Sequence, residues 1–384
     1  MFLRRNGWQV DVYERSGRPL QGRGAGIVLH PSVFRALERN PADISAEATV
    51  LRYLDVTGAV ANEQTCRYRF IAYAVLHREL LDQLDGSSYH LGSEVVDFEQ
   101  TPAAAEVTLR DGAMGTSELL VCADGIQSMA RRRLLPEVQP AYAGYVGWRG
   151  TVAESELSDR AHQVFAGAIT YCVVPNSHIL VYPIPNPEEP SGESRLINWV
   201  WYRNVPEREA LKRVLTDRHG VRHSVSIGAG EVSQLNISEL VEAAHQTLPP
   251  QLVELVSSSA APFVQVVLDV GVPRMAFGRI ALIGDAAFAL RPHAAAGTAK
   301  ATEDAWMLAD AVAGPPGDLP LALDAWQARQ VEVGRSVTDR SRRAGERSQF
   351  ENSWQIGEAL PFGLHETGDS LLAPSPTTTA RSIG

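Results

Sequence analysis

Three stretches of the chain place an acidic side chain beside a turn, in the pattern of a nucleotide site. They are VYERS with Glu14, VCADGIQSMAR with Asp124, and ALIGDAAFALRPHAAAGTAKA with Asp285. A carboxylate that ends a buried parallel strand lies at the edge of the sheet where ligands bind, and it accepts hydrogen bonds from sugar hydroxyls. Glu14 and Asp285 are therefore candidates for ribose or ribityl contacts. Taken alone, Glu14 is better explained as a surface acid at a strand end.

The third stretch carries the strongest signal. Pro292 predicts an extended turn, and Gly297 opens a helix whose first amide groups lack an intrahelical partner. Gly297, Thr298 and Ala299 can offer these amides to a developing anion. A reduced flavin, with negative charge at its N1–C2=O edge, matches that chemistry. The alternative is a plain strand–loop–helix connection in which Asp285 caps the helix.

The second stretch predicts a tight turn at Asp124–Gly125 after a strand, with Ser128 and Arg131 at one-turn spacing. In isolation, a simple turn capped by Asp124 explains it equally well. Its combination with the Asp285 stretch favours a shared cofactor site.

Three apolar runs predict the strands that position these acids: WQVDVYE, ELLVCADG and RIALIGDAA. Continuous apolar character is typical of parallel strands covered on both faces. PSVFRALERN and GTAKATEDAWMLADAVAG predict helices after the first and the last of them. Residues 142–204 alternate aromatic and β-branched segments with turns, which predicts an antiparallel sheet, and VQVVLDV returns the chain from it. Residues 50–60 and 105–112 predict hairpin strands.

The composition restricts the class of protein. The net charge of −10 over 384 residues argues against a nucleic-acid surface. The three distant cysteines, Cys66, Cys122 and Cys172, fit neither a disulfide framework nor a metal cluster, so we expect no metal and a reducing, cytoplasmic location. No apolar run reaches 18 residues, and we expect no membrane association.

The motifs resemble those of the single-component FAD-dependent aromatic hydroxylases. ADGIQSMAR and LIGDAA…RPHAAAG are similar to the two fingerprints of that family, and VYERS, GAGIVL, HREL and YVGWRG follow its order over about residues 2 to 350. RPHAAAG, AYAGYVGWRG, VYPIP and PRMAFGRIALIGDAA resemble the members that hydroxylate 2,6-dihydroxypyridine. The resemblance implies an α/β fold: a Rossmann-like FAD-binding domain with an inserted, mainly antiparallel substrate sheet.

The resemblance also implies roles for particular residues. Glu14, with the adjacent Arg15, would hold the adenosine ribose, Asp285 the ribityl chain, and Gly297, Thr298 and Ala299 the flavin pyrimidine edge. Asp124 would support the pyrophosphate, and Arg23 or Arg78 would reach the phosphates or the ribityl chain; the sequence leaves the choice between these two arginines open.

The implied reaction uses NADH (or NADPH), O2 and a small aromatic substrate, through a C4a-hydroperoxyflavin. His293 is the candidate for proton handling or substrate orientation, since it follows Pro292 in the loop expected over the flavin. A histidine bonded only to backbone is an equal alternative. Tyr182 is a candidate for the substrate side, with core packing as the commoner role. The family includes dimers, so a homodimer is a further expectation.

The start of the chain departs from the family pattern. The family's first strand and glycine-rich turn come some twenty residues before the ribose acid, whereas thirteen residues precede Glu14 here. FLRRNGWQV is similar to the end of the first helix and the turn after it. Either the natural start lies upstream, which we favour, or the chain is a non-catalytic remnant without FAD. A third alternative keeps the chemistry and changes the ring to salicylate or another phenol.

The expected division of the chain has four parts. Residues 1–141 form the first, N-terminally truncated part of the FAD-binding domain, 142–272 the substrate sheet, and 273–345 the second part of the FAD-binding domain. Residues 346–384 form a C-terminal extension whose last stretch, LLAPSPTTTARSIG, we expect to be disordered.

Overall fold

The structure is a computed structural model that describes residues 1–17, 26–84, 86–189, 194–314 and 319–372. The strands, in chain order, are β1 (Val12–Glu14), β2 (Gly26–Val28), β3 (Ala46–Leu54), β4 (Val60–Ala72), β5 (Tyr89–Leu91), β6 (Val95–Gln100), β7 (Ala105–Leu109), β8 (Met114–Ser117), β9 (Leu120–Cys122), β10 (Ala141–Ala153), β11 (Ala168–Val174), β12 (Ser177–Pro185), β13 (Arg195–Asn204), β14 (Ser226–Ile227), β15 (Phe263–Asp269), β16 (Ala276–Phe277) and β17 (Ile280–Leu282).

The helices complete a mixed α/β fold. They are α1 (Phe2–Arg5), α2 (Pro31–Phe34), α3 (Tyr73–Leu81), α4 (Met129–Leu134), α5 (Asp159–Phe165), α6 (Glu209–Val214), α7 (Gln234–Thr247), α8 (Pro250–Ser258), α9 (Gly297–Ala311) and α10 (Leu319–Gln349). Among the described residues, no helix combines the length and the apolar character that crossing a membrane would require.

A nine-stranded sheet dominates the molecule, in the order β14-β15-β10-β13-β12-β11-β3-β4-β2. The antiparallel sheet predicted for residues 142–204 is confirmed, since β10, β13, β12 and β11 pair antiparallel in succession. Strands β2, β3 and β4 come from residues 26–72, so the sheet is not confined to the predicted interval 142–272. The parallel pairing of β11 with β3 joins the two sets.

Both faces of this sheet are covered by apolar side chains. Along β13 the alternation places Val200 and Tyr202 in one buried cluster and Trp199 and Trp201 in the other. Trp199 donates to Ser259 Oγ at 2.7 Å, and this hydrogen bond satisfies its buried indole. The face that carries Val200 and Tyr202 also packs against Ala294, Ala296 and Ala299, and it is therefore the face that borders the predicted site.

The three strands predicted to be parallel lie in two separate small sheets. Strand β9 pairs parallel with β17, in the register Cys122 to Leu282, so the turns that follow both strands leave the same edge. Within the described residues, β1 pairs with β5 alone, also in parallel. The three predicted strands therefore exist and each has a parallel neighbour, but β1 is not in the sheet of the other two.

Two sequence-based boundaries differ from the structure. The helix predicted over PSVFRALERN is confined to α2. At the end of the predicted range, Asn40 is extended before Pro41 and caps a 3-10 turn, accepting from the Ala42 amide at 3.1 Å. The long helix α10 continues to Gln349, past the predicted boundary at residue 345. After it, residues 350–372 pack along the body through buried side chains, among them Trp354, Leu360, Phe362 and Leu364; residues 373–384 lie outside the described part.

Candidate active site

The N-terminus of α9 is the centre of the candidate site. The helix begins at Gly297 after Ala296, which supplies no side-chain cap. Within the described part of the chain, the amides of Gly297, Thr298 and Ala299 donate to no acceptor. A Cβ atom built on Gly297 would meet no protein atom within 4 Å, so open space adjoins these donors. Uncapped amides at the positive end of a helix suit an anionic or electron-rich group.

The turn after β17 is fixed against this helix. Gly284 has φ +58°, and a Cβ atom there would lie 3.2 Å from Ala301 Cβ, so the turn requires glycine. The Gly284 amide donates to Asp304 Oδ2 at 3.0 Å. Asp304 also forms a fully buried ion pair with Lys300, and this pair joins the turn to α9.

Asp285 follows in the same turn, directly after β17. The residue is exposed to solvent, yet protein encloses it on its other sides, and this desolvation raises the pKa of its carboxyl group. The charge of Arg131 opposes the rise. The Arg131 guanidinium is buried and donates to Ala286 O at 2.9 Å. Asp285 is thus placed to accept a hydrogen bond from a ligand hydroxyl.

Asp124 has a structural role in addition to any contact with a ligand. Its Oδ2 accepts from the Ala130 amide at 3.0 Å, and Ser128 Oγ accepts from the Arg131 amide at 2.8 Å. Both bonds satisfy amides at the start of α4. The sequence-based alternative of a turn capped by Asp124 therefore describes its contacts within the protein.

The loop from Arg291 to Ala296 leads into α9. Arg291 is extended, with φ −59° and ψ 142°, as expected before a proline. Pro292 begins a 3-10 turn that ends at Ala295, which has the left-handed conformation of φ 51° and ψ 24°. A non-glycine residue in this region costs about 1 kcal/mol or more. The loop is therefore strained directly before the helix that carries the amides.

His293 lies at the beginning of a buried polar chain. Its Nε2 lies 2.7 Å from the Tyr145 hydroxyl, so the bond is to a side chain and not only to backbone. Burial and the nearby His178 and Arg291 hold the pKa of His293 well below its usual value, so the ring is neutral. Its Nδ1 has no hydrogen-bond partner within the described ranges. Burial also raises the pKa of Tyr145.

Arg291 extends this chain to the sheet. Its guanidinium binds the Asp269 carboxylate through Nε and Nη2, with Nη2 at 2.9 Å from Oδ2. Arg342 of α10 lies 3.1 Å from the same oxygen. Both Arg291 and Asp269 are buried. One carboxylate of β15 thus joins the loop before α9 to helix α10.

A second histidine packs beside His293. The rings of His178 and His293 are 5.3 Å apart, and Tyr202 lies 4.8 Å from each of them. Trp354 stacks on His178 at 5.7 Å. Burial lowers the pKa of His178 to about 3. Since neutral imidazole then carries one proton, and Gln349 Nε2 donates to Nδ1 at 3.2 Å, His178 bears its proton on Nε2.

The remaining predicted residues lie away from this cluster or have other partners. Tyr182 stacks on Phe70 at 4.2 Å and donates its hydroxyl to Gly26 O at 2.7 Å, which ties β12 to β2. Glu14 ends β1 and accepts from the Ser16 amide at 2.7 Å. Arg15 is exposed, Arg78 is exposed on α3, and Arg23 lies outside the described residues.

Three residues of the site carried no sequence signal of their own: Tyr145, His178 and Asp269. Tyr145 lies within YVGWRG and His178 at the start of a strand segment, but nothing local indicates that either faces His293. Their contacts join positions separated by 148 residues in the case of Tyr145 and His293. Only the pairing of the strands brings them together.

The residues present fit a flavin dinucleotide. Three helix amides have no partner among the described residues, and with the open space at Gly297 they supply donors for an electron-rich ring edge. The exposed Asp285 carboxyl group supplies an acceptor for a polyol chain. The buried aromatic face of the nine-stranded sheet adjoins them. A planar ring can thus bind between the backbone amides at the start of α9 and the apolar face of the nine-stranded sheet.

Comparison with known proteins agrees with this fit. A family model described as FAD binding domain-like matches residues 142–269. The 2,6-dihydroxypyridine 3-monooxygenase of Paenarthrobacter nicotinovorans is 35% identical over 95% of this chain and 92% of its own length. The 3-amino-4-hydroxybenzoate 2-monooxygenase of Streptomyces cremeus is 27% identical over 90% and 83%. The solved structure of 2,6-dihydroxypyridine-3-hydroxylase from Arthrobacter nicotinovorans superposes with a TM-score of 0.90 at 34% identity, over 95% of this chain and 93% of that one.

Proposed function

Because the chain belongs to the family of FAD-dependent aromatic monooxygenases, we propose that it hydroxylates a dihydroxylated pyridine ring, with 2,6-dihydroxypyridine as the substrate and NADH as the reductant. The observation that carries the substrate proposal is the likeness, over 95% of this chain, to a relative named for that reaction. The neutral His293 on the loop before α9 supports it, because a hydroxylated ring needs a proton acceptor in a dry pocket.

In this proposal the protein binds the polar groups of FAD, namely the pyrimidine edge, the ribityl chain and the adenosine ribose. Gly297, Thr298 and Ala299 donate amides to the pyrimidine edge, and Asp285 accepts from the ribityl chain. Glu14 accepts from the adenosine ribose, for which its place at the end of β1 is suited. When bound and reduced, FAD supplies the electrons that activate O2.

The protein's own residues handle the substrate proton. In the tautomer that carries its proton on Nε2 and donates it to the Tyr145 hydroxyl oxygen at 2.7 Å, the neutral His293 presents Nδ1 as the acceptor for the proton of a ring hydroxyl. Loss of that proton makes the ring electron-rich at the carbon to be hydroxylated. Burial, His178 and Arg291 disfavour the imidazolium that forms, and its bond to the Tyr145 hydroxyl oxygen offsets part of that cost. Tyr182, whose hydroxyl is engaged by Gly26 O, contributes packing to the sheet side.

A substrate panel tests the proposal. Purified protein supplied with FAD is mixed with NADH or NADPH and with 2,6-dihydroxypyridine, salicylate or 3-amino-4-hydroxybenzoate, and both hydroxylated product and hydrogen peroxide are quantified. We expect product in proportion to NADH consumed with 2,6-dihydroxypyridine alone. Coupled product from a phenol instead would support the alternative substrate class, for which the relative that is 27% identical is the favouring observation.

The controls separate binding from turnover. FAD binding is measured first, by the absorbance of the protein after removal of free flavin. Peroxide without product from all three rings would contradict the proposed substrates while leaving the cofactor in place. A protein that stays colourless in excess FAD would contradict the cofactor role proposed for α9.

A further inference from the structure

The strained residue Ala295 is held by hydrogen bonds from outside its own loop. A left-handed alanine persists only where the surrounding structure enforces it. The His30 ring nitrogen Nε2 lies 2.9 Å from Ala295 O, and the Gly363 amide donates to Ala294 O at 2.9 Å. Two successive carbonyls of the loop before α9 are thus bound by donors that are distant in the chain.

The protonation of His30 follows from its partner. A carbonyl oxygen can only accept a hydrogen bond, so Nε2 of His30 bears the proton. His30 is 2% exposed, and burial is the main cause that lowers the pKa of its ring. The ring is therefore neutral, with Nδ1 unprotonated. Asp369 Oδ1 lies 3.8 Å from that nitrogen.

Gly363 belongs to a segment that we call the C-terminal clamp, Phe362–Asp369. The Asp369 carboxylate accepts from the amides of Leu364 and His365, at 2.9 and 2.7 Å. From the other side, the Arg340 guanidinium of α10 donates to the carbonyls of Gly363, Leu364 and His365, at 2.7 to 2.8 Å. The clamp is therefore a preformed loop, rigid enough to hold another segment.

The clamp also reaches α9 itself. His365 Nε2 lies 2.8 Å from Glu303 Oε2, and Glu303 is buried two turns into the helix. Phe362 packs edge-on against Tyr68 at 5.5 Å, which ties the clamp to the sheet. The clamp thus contacts both the loop that precedes the helix amides and the helix that carries them.

We propose that His30 and the C-terminal clamp are positioning elements of the cofactor site, which hold Ala294 and Ala295 so that the amides of Gly297–Ala299 keep one direction. The proposal rests on the proposed function for the identity of the group that those amides bind. Without the donor of His30, the partly buried Ala295 carbonyl loses its partner and the left-handed residue relaxes. The amide directions then spread, and the site loses preorganisation.

Three substitutions at residue 30 separate the hydrogen bond from the packing. His30→Gln keeps an amide donor at about the reach of Nε2, whereas the amide of His30→Asn reaches only the position of Nδ1. His30→Leu fills similar space with no donor. His223→Leu is the matched control, since it removes a histidine bound to the Asp217 carboxylate, at 2.7 Å, outside the candidate site.

The first readout needs no cofactor. Hydrogen–deuterium exchange of peptides covering residues 288–300 is measured in FAD-free protein. We expect exchange to rise roughly tenfold in His30→Leu and His30→Asn, to stay near the parent rate in His30→Gln, and to be unchanged in His223→Leu. Equal exchange in all four variants would overturn the proposal, as would an equal rise in His30→Gln and His30→Leu.

The second readout uses FAD. The dissociation constant, from flavin fluorescence, and the reduction potential of the bound flavin are measured for the same proteins. We expect His30→Leu and His30→Asn to bind FAD roughly tenfold more weakly and to lower the potential, because aimed amides favour the anionic reduced ring. A loss of thermal stability without a change in potential would assign His30 a merely structural role.

The two readouts distinguish the two proposals. If the parent protein binds no FAD but hydrogen–deuterium exchange rises in His30→Leu and His30→Asn and not in His30→Gln, the positioning role of His30 and the clamp is supported. The cofactor role proposed for α9 is then contradicted. If the parent binds FAD and the exchange of residues 288–300 is the same with and without a donor at residue 30, the positioning role is contradicted. The proposed function is then unaffected. If His30→Leu does not fold, the comparison of His30→Asn with His30→Gln tests the positioning role, because only the amide of glutamine reaches the position of Nε2.

Discussion

At the scale of single residues, burial determines what the titratable groups of the site can do. His293, His178 and His30 are all nearly inaccessible to water, and in each case burial is the main cause that lowers the pKa of the ring. Neutral imidazole is the form that accepts a proton from a substrate hydroxyl. The same burial makes all three rings a source of acid lability, because the unfolded chain takes up protons that the folded protein does not.

The pH dependence of stability follows from His178. The pKa of His178 is lowered from 6.5 to about 3 in the folded protein. As the pH falls below 6.5, His178 therefore becomes protonated in the unfolded chain while it stays neutral in the folded protein. The stability is therefore fully present above pH 6.5 and is lost progressively between pH 6.5 and 3. We expect His178 to account for about 2 kcal/mol of the loss between pH 8 and pH 5.

Urea unfolding at pH 8 and pH 5 checks this expectation. The variant His178→Phe keeps the aromatic stacking on Trp354 and removes the titration, so its unfolding free energy should fall less between the two pH values. His245→Phe serves as the control, because His245 is exposed on α7. An equal pH dependence in His178→Phe and the parent protein would contradict the assignment.

At the scale of elements, the start of α9 and the turn after β17 meet through two glycines with different requirements. Gly284 has a positive φ and a close neighbour, whereas Gly297 has neither. The first glycine is needed by the fold, and the second is needed only if a ligand occupies the open space beside it. This contrast gives the site a test that separates folding from binding.

We expect Gly297→Ala to fold as well as the parent and to bind FAD about tenfold more weakly or worse, because its methyl group enters the space of the ring. Gly284→Ala should lose about 1–2 kcal/mol or more of unfolding free energy, because alanine is strained at φ +58°. Thermal unfolding without FAD and titration with FAD give the two quantities. Unchanged FAD affinity in Gly297→Ala would exclude a flavin beside that residue.

At the scale of the whole molecule, Asp269 carries a buried polar contact that joins the large sheet to the loop before α9 and to α10. Its carboxylate on β15 pairs with Arg291 before α9 and with Arg342 of α10. Arg291 is buried, whereas the Arg342 side chain is 41% exposed. The two arginines therefore differ in how much they depend on the carboxylate.

Asp269→Asn should cost about 3–5 kcal/mol of unfolding free energy, because it leaves the Arg291 cation buried without a counter-charge. Arg342→Gln, the control, should cost under about 1 kcal/mol, because water solvates that position. Urea denaturation of both variants measures the difference. Similar losses in the two variants would show that the burial of Arg291 does not govern this junction.

The sequence predicted the locally encoded parts of this protein. The apolar runs, the carboxylates that follow them, Gly284–Asp285 and the helix that begins at Gly297 are patterns within a few residues, and the structure contains them at those positions. The resemblance built on those patterns led to the family that the comparisons confirm. The apolar spacing of PSVFRALERN predicts a longer helix than α2, which ends at Phe34.

The tertiary structure alone decided which groups act together. Tyr145 meets His293 across 148 residues, His30 meets Ala295 across 265, and the clamp returns from the end of the chain to the same loop. Tyr182 was a candidate for the substrate side, but its hydroxyl is engaged by a carbonyl of β2. Side-chain partners and burial depend on strand pairing over long separations, which local composition does not encode. The residue types, by contrast, already determined what chemistry was available.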